Sequence, residues 1–596
     1  MTDKSPLQRI SQLEKKVLRL QSRIDSIRNF RLVVFFAAFG LLTLLTFNKL
    51  WQYEAPVLFI FLCTFVTLLI RTKNLELFLE RLQLLKVFYQ RQHHRQCGVE
   101  VSGVFQPPEK SELNSHLSRD LHIFGQKSIF NLVNETFSFS GLEKMSTRLL
   151  APSLRFEDIQ QMQKQVLQWQ PHLGKIRALM VAAHRSKAPF NDQALLQFVT
   201  ENNSGHISVL SCKALLAFWI FCFAHTSLSW FDLHFLPVSV TWVLFALASL
   251  SFLKTSHSAF RNTLQMAINF ESYGQILKIV ELLAIKEPQL LPLHSQKPPS
   301  QLLKKVETCS AALSTEANPL FHLILNAFLP WSSFWLWQLQ KEKEKLKDIL
   351  PEALKELSEF EYTASLAVMY RYSSTRFPNF SNDAKISFKN LYHPLIPQDR
   401  VVANSFVWPL DKKLILVTGS NMSGKSTFLR TFGVNQILAM AGAPVFAENF
   451  CTVLRPLESA LSVSDSLNDG FSYFYAEVLR LKQILDRSQK EEIFFLIDEI
   501  FRGTNNRERL IGSESLISTL IETLGLGFIT THDLELTKLA EKSNKILNMH
   551  FRDDLAEGKM VFNYKLHEGP CPTTNALKIM ALNGLPIPNN SLLNQN

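Results

Sequence analysis

The sequence has few of the residues that mark the simplest protein classes. It contains seven cysteines in 596 residues, with no CxxC pair among them. Cysteines scattered in this way exclude a disulfide scaffold and a zinc site, and they fit a reducing compartment. Glycine, with 20 residues, and proline, with 25, are also sparse. Because apolar residues are ample, the composition excludes a fibre and a chain that is disordered throughout.

Phenylalanine is abundant, with 47 residues against 10 tyrosines, and 46% of all residues are hydrophobic. The mean hydropathy is nevertheless only +0.04, which predicts apolar segments separated by soluble ones. The length predicts roughly two to four structural units. The formal net charge of +11 admits nucleic acid or anionic lipid as a partner. Residues 1–31 hold eight basic and three acidic residues, so they contribute +5 of that charge.

Residues 1–30 are predicted to form a basic, coiled-coil-like helix. Apolar residues recur there at spacings of three and four, which places them on one helix face. They are Ile10, Leu13, Val17, Leu20, Ile24 and Ile27. Three interpretations stay open: a helix packed on the rest of the protein, a short coiled coil, and a basic helix at a membrane surface. The positive charge favours lipid headgroups as the partner of this segment.

Four apolar runs predict two transmembrane helical hairpins, at residues 31–71 and 212–254. The runs are Leu32–Phe47, Pro56–Ile70, Ala214–Phe231 and Phe235–Leu253. Some are slightly shorter than the roughly 20 residues that span a bilayer, but flanking aromatic residues can extend them at the interface. The alternative is that both hairpins are buried in a large soluble core. Buried soluble helices rarely run this long without charge, which favours the membrane.

Positive charge flanks both hairpins and is scarce in their turns. The flanking residues are Arg28, Arg31, Arg71, Lys73, Lys213 and Lys254. By the positive-inside tendency, both hairpins would enter and leave on the cytoplasmic side. The sequence thus predicts a multi-pass protein of the inner or cytoplasmic membrane, with the soluble bulk in the cytoplasm.

The remaining chain divides into a helical part and an α/β part. Residues 72–211 and 255–382 are predicted to form an all-α core and lever region, with a Pro-rich loop at residues 287–300. From about residue 383 to 596, short apolar strands alternate with helices, which is typical of an α/β domain.

A phosphate-binding loop follows the strand predicted at residues 414–418. The loop residues are Gly419, Ser420, Asn421, Met422, Ser423, Gly424, Lys425, Ser426 and Thr427. They read G-x-x-x-x-G-K-S between a strand and a helix, the context that this motif requires. Backbone N–H groups and the helix N-terminus would face phosphate oxygens. Lys425 is expected at the β- and γ-phosphates, and the Ser426 hydroxyl at Mg²⁺.

Two further strand ends carry candidate catalytic groups. Asp498 and Glu499 follow the apolar strand predicted at residues 493–497. We expect Asp498 at the metal ion and Glu499 as the group that polarises the attacking water. His532 follows the strand predicted at residues 527–531, where it could contact the γ-phosphate or the water. The alternative for His532 and Asp533 is a helix-capping pair.

Residues 391–586 resemble the ATPase domain of the MutS mismatch-repair family, an ABC-class ATPase. Six motifs occur in family order: His393-Pro394 with Asn404, the phosphate-binding loop, Ser472–Glu477, Asp498–Thr504, Thr531–Asp533, and Gly569–Pro586. Ser420, Ser423 and Phe501 stand where the family usually has Pro, Gly or Ala, and Gly, respectively. A weaker likeness to the opening of the family's helical core begins at Asp120.

The resemblance implies a function as well as a fold. It implies ATP and Mg²⁺ as cofactors, with Lys425, Glu499 and His532 as catalytic residues. It also implies a homodimer through the ATPase domains, in which Ser472 is offered in trans to the other subunit's γ-phosphate. DNA is the implied partner, bound through its backbone.

The family's mismatch-reading and connector domains have no counterpart here. The first hypothesis is therefore a membrane-anchored MutS-like ATPase coupled to DNA. The second is a non-repair ATPase whose dimer closure acts on a membrane protein or lipid. The third is a soluble regulator with buried hairpins.

Overall fold

The computed structural model describes most of the chain. The described residues are 5–101, 104–107, 115–152, 155–184, 189–200, 209–231, 236–251, 257, 273–282, 298–381, 383, 385–420, 422–461, 473–501, 504–556 and 559–572. The chain divides into two compact units. The first comprises Met1–Gly103, Tyr372–Ser374 and Pro394–Val401, and the second comprises Val104–Arg371, Thr375–His393 and Val402–Asn596.

Two long helices dominate the first unit. Helix α1 spans Pro6–Phe47, and helix α2 spans Glu54–Gln96 after a short 3₁₀ turn. Helix α1 begins with a capping box, in which Ser5 and Gln8 satisfy each other's backbone N–H groups. The boundaries predicted at residues 30/31 and 71/72 fall inside these helices, because the helical pattern continues from the soluble part into the apolar part without a break.

Helices α1 and α2 pair in antiparallel fashion. Arg28 contacts Glu76 at 2.6 Å, and Lys86 contacts Glu14 at 3.0 Å. Each exposed ion pair adds at most about 1 kcal/mol, so the two pairs fix register more than stability. The predicted apolar face of α1 is turned inward: Ile10, Leu13 and Ile24 are buried and Val17, Leu20 and Ile27 are half-buried. The apolar face of α1 is therefore packed against the same chain.

The parts of α1 and α2 next to the 3₁₀ turn are more exposed than the paired ends, which carry the ion pairs. Between residues 32 and 70 no side chain is buried. By length and composition, three helices of the described chain could cross a membrane: α1, the segment Trp51–Gln96, and a later helix, Val209–Ser229. Their most apolar windows have mean hydropathies of 2.1, 2.1 and 1.6, and are 0%, 0% and 22% buried.

The second unit starts with a helical region, as expected from the sequence. Its helices are α3 (His116–Asp120), α4 (Ile129–Val133), α5 (Phe139–Leu150), α6 (Phe156–Trp169), α7 (Leu173–Ala183), α8 (Asp192–Thr200), α9 (Val209–Ser229), α10 (Val238–Leu250), α11 (273–282), α12 (Pro299–Leu313), α13 (Pro319–Phe328) and α14 (Trp331–Tyr372). Helices α9 and α10 form the predicted second hairpin, with Leu215, Cys222 and Phe245 buried between them. The apolar helix α13 packs beside α10, which the sequence analysis did not anticipate.

A buried carboxyl group ties α14 to the start of α5. Glu361 is fully buried and accepts hydrogen bonds from the backbone N–H groups of Phe137 and Ser138, at 2.8 and 3.1 Å. Burial raises the pKa of Glu361 to about 8, and the nearby Asp192 adds to the rise. Glycine is required at position 141, because a Cβ there would clash with the Glu361 carboxylate.

The C-terminal part is an α/β domain with two sheets. Its strands are β1 (Asn379–Phe380), β2 (Ser387–Leu391), β3 (Asn404–Val407), β4 (Leu414–Thr418), β5 (Asn449–Thr452), β6 (Leu457–Ala460), β7 (Phe494–Asp498), β8 (Leu526–Thr531), β9 (Ile546–Ala556) and β10 (Lys559–Glu568). The small sheet has the order β1-β5-β2-β3 and the large one β10-β9-β4-β8-β7-β6. The small sheet begins at Asn379, slightly before the predicted boundary at 383.

The large sheet is parallel except at β10. Helices α15 (Lys425–Met440), α16 (Tyr473–Ser488), α17 (Asn506–Leu520) and α18 (Leu539–Lys542) follow its strands. Strands β4, β7 and β8 are fully buried, consistent with their near-continuous apolar sequences. Because β4 pairs with β8 and β8 with β7, their carboxyl ends meet at one edge of the sheet. This edge carries the candidate site.

Candidate functional site

The loop between β4 and α15 curls tightly enough to require glycine at both ends. Gly419 has φ +147°, and a Cβ there would lie 2.8 Å from the Phe551 carbonyl oxygen. Gly424 has φ +107°, and its Cβ would lie 3.1 Å from the Tyr564 ring. Met422 also adopts a left-handed conformation, with φ +73°, and is largely exposed. The loop therefore has the curled backbone that points N–H groups towards an anion.

Lys425, the first residue of α15, lies within this curl. Its buried ammonium donates hydrogen bonds to the carbonyl oxygens of Gly419 and Ser420, at 2.7 and 2.8 Å. The hydroxyl oxygens of Ser420 and Ser423 are buried, and no hydrogen-bond partner for them lies in the described part of the chain. A buried cation beside two unsatisfied hydroxyls fits a phosphate group.

Three oxygen-bearing side chains meet beside the loop. Ser426 donates its hydroxyl hydrogen bond to the Asp498 carboxylate at 2.7 Å. Thr530, paired with Asp498 across β7 and β8, donates to the other carboxylate oxygen. Hydroxyl and carboxylate oxygens are ligands that Mg²⁺ accepts. Within the described ranges, no group of three or more His, Cys, Asp or Glu side chains could hold a metal ion.

Glu499 adopts an unusual backbone conformation next to Asp498. Its φ is +54°, and its backbone N–H donates to both the carbonyl and hydroxyl oxygens of Thr530, at 3.1 and 3.2 Å. A left-handed residue other than glycine costs on the order of 1 kcal/mol, and such residues cluster at functional sites. The Glu499 carboxylate lies 3.5 Å from Nδ1 of His532.

The capping alternative for His532 and Asp533 is not supported by the contacts. Asp533 makes no side-chain cap on the following 3₁₀ turn, Leu534–Lys538. Its carboxylate instead binds Arg509 of α17 through two hydrogen bonds, at 2.9 and 3.1 Å. This pair ties the segment after β8 to α17.

Thr530 and Arg509 are contributors that the sequence analysis missed. Thr530 faces Asp498 only because β7 and β8 are neighbours in register, and no spacing along the chain reports that. Glu477 was assigned to a motif without a role. It is buried, and its carboxylate accepts the backbone N–H of Phe501 at 2.7 Å, which holds the left-handed turn at that residue.

Most expected site residues lie together, with two exceptions. Five of them lie at one edge of the large sheet and make the contacts described above: Lys425, Ser426, Asp498, Glu499 and His532. Asn421 and Ser472 lie outside the described residues, so neither is placed.

The helical region is joined to the site through Asp120. Its carboxylate accepts hydrogen bonds from the Ser459 hydroxyl at 2.7 Å and the Leu461 backbone N–H at 3.0 Å. Arg430 of α15 donates to the Asp120 carbonyl oxygen at 2.9 Å. Burial and Arg430 lower the pKa of nearby His393 to about 4, so this histidine is neutral at physiological pH.

Comparison with known protein families agrees with this geometry. Residues 415–592 match the model of MutS domain V. The C-terminal part of the chain is a MutS-type ATPase domain. MutS domain V is an ABC-class ATPase domain, and such domains generally bind ATP and Mg²⁺ and dimerise.

Similar curated proteins are DNA mismatch repair proteins named MutS. That of Streptococcus equi subsp. equi is 28% identical over 255 residues, covering 42% of this chain and 30% of the relative. That of Bacillus licheniformis is 29% identical over 253 residues, covering 41% and 29%. That of Listeria monocytogenes is 29% identical over 260 residues, covering 42% and 30%. The chain therefore spans about 30% of the length of these relatives.

Proposed function

We propose that the protein binds and hydrolyses ATP with Mg²⁺ at the edge formed by β4, β7 and β8. The observation that carries the proposal is the joined set of contacts there. The Lys425 ammonium is held in the loop, Ser426 and Thr530 converge on Asp498, and Glu499 lies beside His532. This combination supplies groups for phosphate binding, metal binding and proton transfer in one place.

Each residue has a distinct task in this proposal. The phosphates bind to the Lys425 ammonium and to the backbone N–H groups of the loop residues 419–427, which include Asn421 and Thr427. Ser426 and Asp498 would hold the magnesium ion, and a bound magnesium ion would supply positive charge beside the phosphates. Glu499 orients and polarises the attacking water. His532 lies beside the Glu499 carboxylate, where it restrains that carboxylate and contacts the γ-phosphate.

We also propose a homodimer with two composite sites. MutS ATPase domains generally dimerise, and Ser472 would complete the partner's site in trans. Exposed aromatic residues at the start of α16 support an interface there, since Phe474 and Tyr475 are 37% and 46% exposed.

The proposed location is the cytoplasmic membrane, with the ATPase domain in the cytoplasm. The support is the exposed apolar surface of α1, α2 and α9 together with the positive flanks of the hairpins. The proposed division of the chain stays as the sequence predicts it, with membrane hairpins at 31–71 and 212–254 and the ATPase domain from 383.

DNA is the first candidate for what the ATPase acts on, because the similar curated proteins are named for DNA mismatch repair. The second candidate is a membrane protein or lipid, which the long exposed apolar helices favour.

Replacement of the proposed base tests the ATPase assignment. Glu499→Gln in the full chain, reconstituted in nanodiscs, should still bind ATP but hydrolyse it about 100-fold more slowly, because the amide cannot accept a proton. Steady-state phosphate release and nucleotide binding are measured side by side. Glu541→Gln, an exposed carboxylate on α18, is the matched control and should be unchanged. Wild-type turnover in Glu499→Gln would remove Glu499 from this role.

A further inference from the structure

We propose that residues 318–337 form a re-entrant helical hairpin that enters the membrane beside α9 and α10. Helix α13 enters, the chain turns at Leu329 and Pro330, and the first two turns of α14 leave on the same side. The outward face of this hairpin contacts the acyl chains of a lipid bilayer. The inference rests on the proposed membrane location of α9, and it adds an element that the sequence assigned to the helical core.

The outward face of α13 is apolar and exposed. Its exposed side chains are Leu320, Phe321, Leu323, Ile324 and Phe328, and they are 48–76% exposed. The helix carries no Asp, Glu, Lys or Arg. A contiguous apolar face of this kind marks a surface that is covered by something other than water. Ten residues of helix span about 15 Å, roughly half of the hydrocarbon core, so α13 can enter a bilayer but cannot cross it.

This face lies next to other apolar surface. Phe328 packs against Trp242 of α10, with ring centroids 6.2 Å apart. The outer residues of α9 and α10 are also large and apolar, among them Phe221, Phe223 and Leu247, which are 43%, 60% and 63% exposed. Helices α9, α10 and α13 therefore present similar outer chemistry, and one apolar solvent can cover all three.

The turn after α13 has protein partners for its carbonyl groups. A helix end leaves carbonyl oxygens without intrahelical partners. The Trp219 indole N–H donates to the Phe328 carbonyl oxygen at 2.9 Å, and the Ser249 hydroxyl lies 3.5 Å from the Leu329 carbonyl oxygen. Pro330 has no N–H to satisfy, and Ser333 and Phe334 both donate to its carbonyl oxygen at 3.0 Å. In hydrocarbon each unpaired group costs several kcal/mol, so re-entrant turns need such partners.

The polar side chains of α13 point inward. His322 and Asn326 are buried, and so is Ser332 of α14. The Ser332 backbone N–H donates to the Asn326 side-chain oxygen at 3.0 Å, and the Ser332 hydroxyl lies 3.2 Å from Nε2 of His322. Thr315 lies 3.3 Å from the other ring nitrogen of His322. With polar groups paired inside and apolar groups outside, α13 is arranged as lipid-facing helices are.

Aromatic residues and then charges mark where the hairpin leaves. The first turns of α14 contain Trp331, Phe334, Trp335 and Trp337, whose rings contact one another with centroids 5.2–6.3 Å apart. Lys341 lies over the Trp337 ring at 5.2 Å, and the charge run 341–348 follows. Tryptophan clusters next to lysine are typical of the boundary between hydrocarbon and water.

Site-specific fluorescence quenching by lipids tests the proposal. Cys63, Cys97 and Cys451 are the cysteines that are not buried, so C63S, C97S and C451S give a background for single labels. Ile324→Cys on α13 is compared with Phe221→Cys on α9 and with Lys347→Cys in the charge run. Each full-length variant carries the fluorophore NBD in phosphatidylcholine vesicles whose acyl chains bear nitroxide. We expect fluorescence at 324 to be lost to the same extent as at 221, with no loss at 347.

The three labels separate the possible failures. Quenching at 221 without quenching at 324 would overturn the re-entrant hairpin and leave the membrane location of α9 standing. Equal quenching at all three positions would also overturn it, because the charge run would then not be outside the lipid. No quenching at 221 or 324 would contradict both this inference and the membrane proposal on which it rests.

Discussion

At the scale of single residues, strain and burial concentrate near the site and in the helical core. Met422, Glu499 and Phe501, at or beside the phosphate-binding edge, have left-handed backbones although they are not glycine. Hydrogen bonds hold two of these residues: the Glu499 backbone N–H donates to Thr530, and the Phe501 backbone N–H donates to Glu477. The Phe501 ring packs against the hydrophobic core and lies so close to Gly512 that a Cβ added there would clash with it. Packing thus offsets a cost of about 1 kcal/mol.

The buried Glu361 gives a pH prediction. Its pKa is raised from 4.5 to about 8 in the folded protein, so the unfolded chain releases this proton at lower pH than the folded one. The Glu361 contribution to stability is therefore full below about pH 4.5 and is lost as the pH rises towards 8. One pKa unit corresponds to about 1.4 kcal/mol, so the change is on the order of several kcal/mol. Glu361→Gln, which mimics the protonated side chain, should flatten the fall in thermal stability between pH 5 and 8.

The control for this measurement is Glu352→Gln, an exposed carboxylate on the same helix. It should keep the wild-type pH dependence of the unfolding temperature. An unchanged slope in Glu361→Gln would show that the Glu361 carboxyl is not protonated in the folded protein.

At the scale of elements, the pairing of α1 with α2 depends on a narrow apolar seam. The two ion pairs between these helices are exposed and contribute little. Ile24 is only 3% exposed, whereas Leu18 on the same helix is 66% exposed. The burial of apolar side chains such as Ile24 is therefore the main source of stability for the paired ends of α1 and α2.

Ile24→Ala should loosen this pairing. Removing a buried isoleucine side chain costs about 2–5 kcal/mol, and local opening of α1 makes the backbone next to its basic residues accessible to trypsin. We expect trypsin to cleave this variant between residues 9 and 31 at least several-fold faster than the wild type. The digestion is carried out on the folded protein, and the products are identified by mass spectrometry. Leu18→Ala is the control and should cleave at the wild-type rate. Equal rates in both variants would mean that the seam does not hold the helices together.

At the scale of the whole molecule, the MutS-type ATPase domain occupies only the C-terminal part of the chain. The similar MutS proteins match 41–42% of this chain, and three of its described helices are long and apolar enough to cross a membrane. Net charge does not decide the matter, because +5 of the +11 lies in the first 31 residues, next to a proposed membrane hairpin. The coupling must be measured on the full chain.

If DNA is the partner, duplex DNA should stimulate ATP hydrolysis by the chain in nanodiscs. The stimulation should fall steeply as salt rises from 50 to about 200 mM, because contacts to phosphates release counterions. Matched and mismatched duplexes should act equally, since the proposed contacts are to the backbone. Stimulation by neither duplex at low salt would contradict the DNA proposal and favour a membrane protein or lipid, which anionic nanodiscs without DNA would then test.

The sequence by itself determined the features whose residues are consecutive. The nine residues 419–427 fix the phosphate-binding loop, since a strand, two glycines and a helix start specify local backbone geometry. The apolar runs likewise predicted apolar helices within α1, α2, α9 and α10, and the heptad-like spacing predicted an apolar face on α1.

Only the tertiary structure decided features that depend on which elements become neighbours. Thr530 serves Asp498 because β7 and β8 pair, although 32 residues separate them. Helix α13 reads as an ordinary core helix until His322 and Asn326 are found inside and its large apolar residues outside. The physical reason is that local sequence sets backbone conformation, whereas the direction a side chain faces is set by non-local packing.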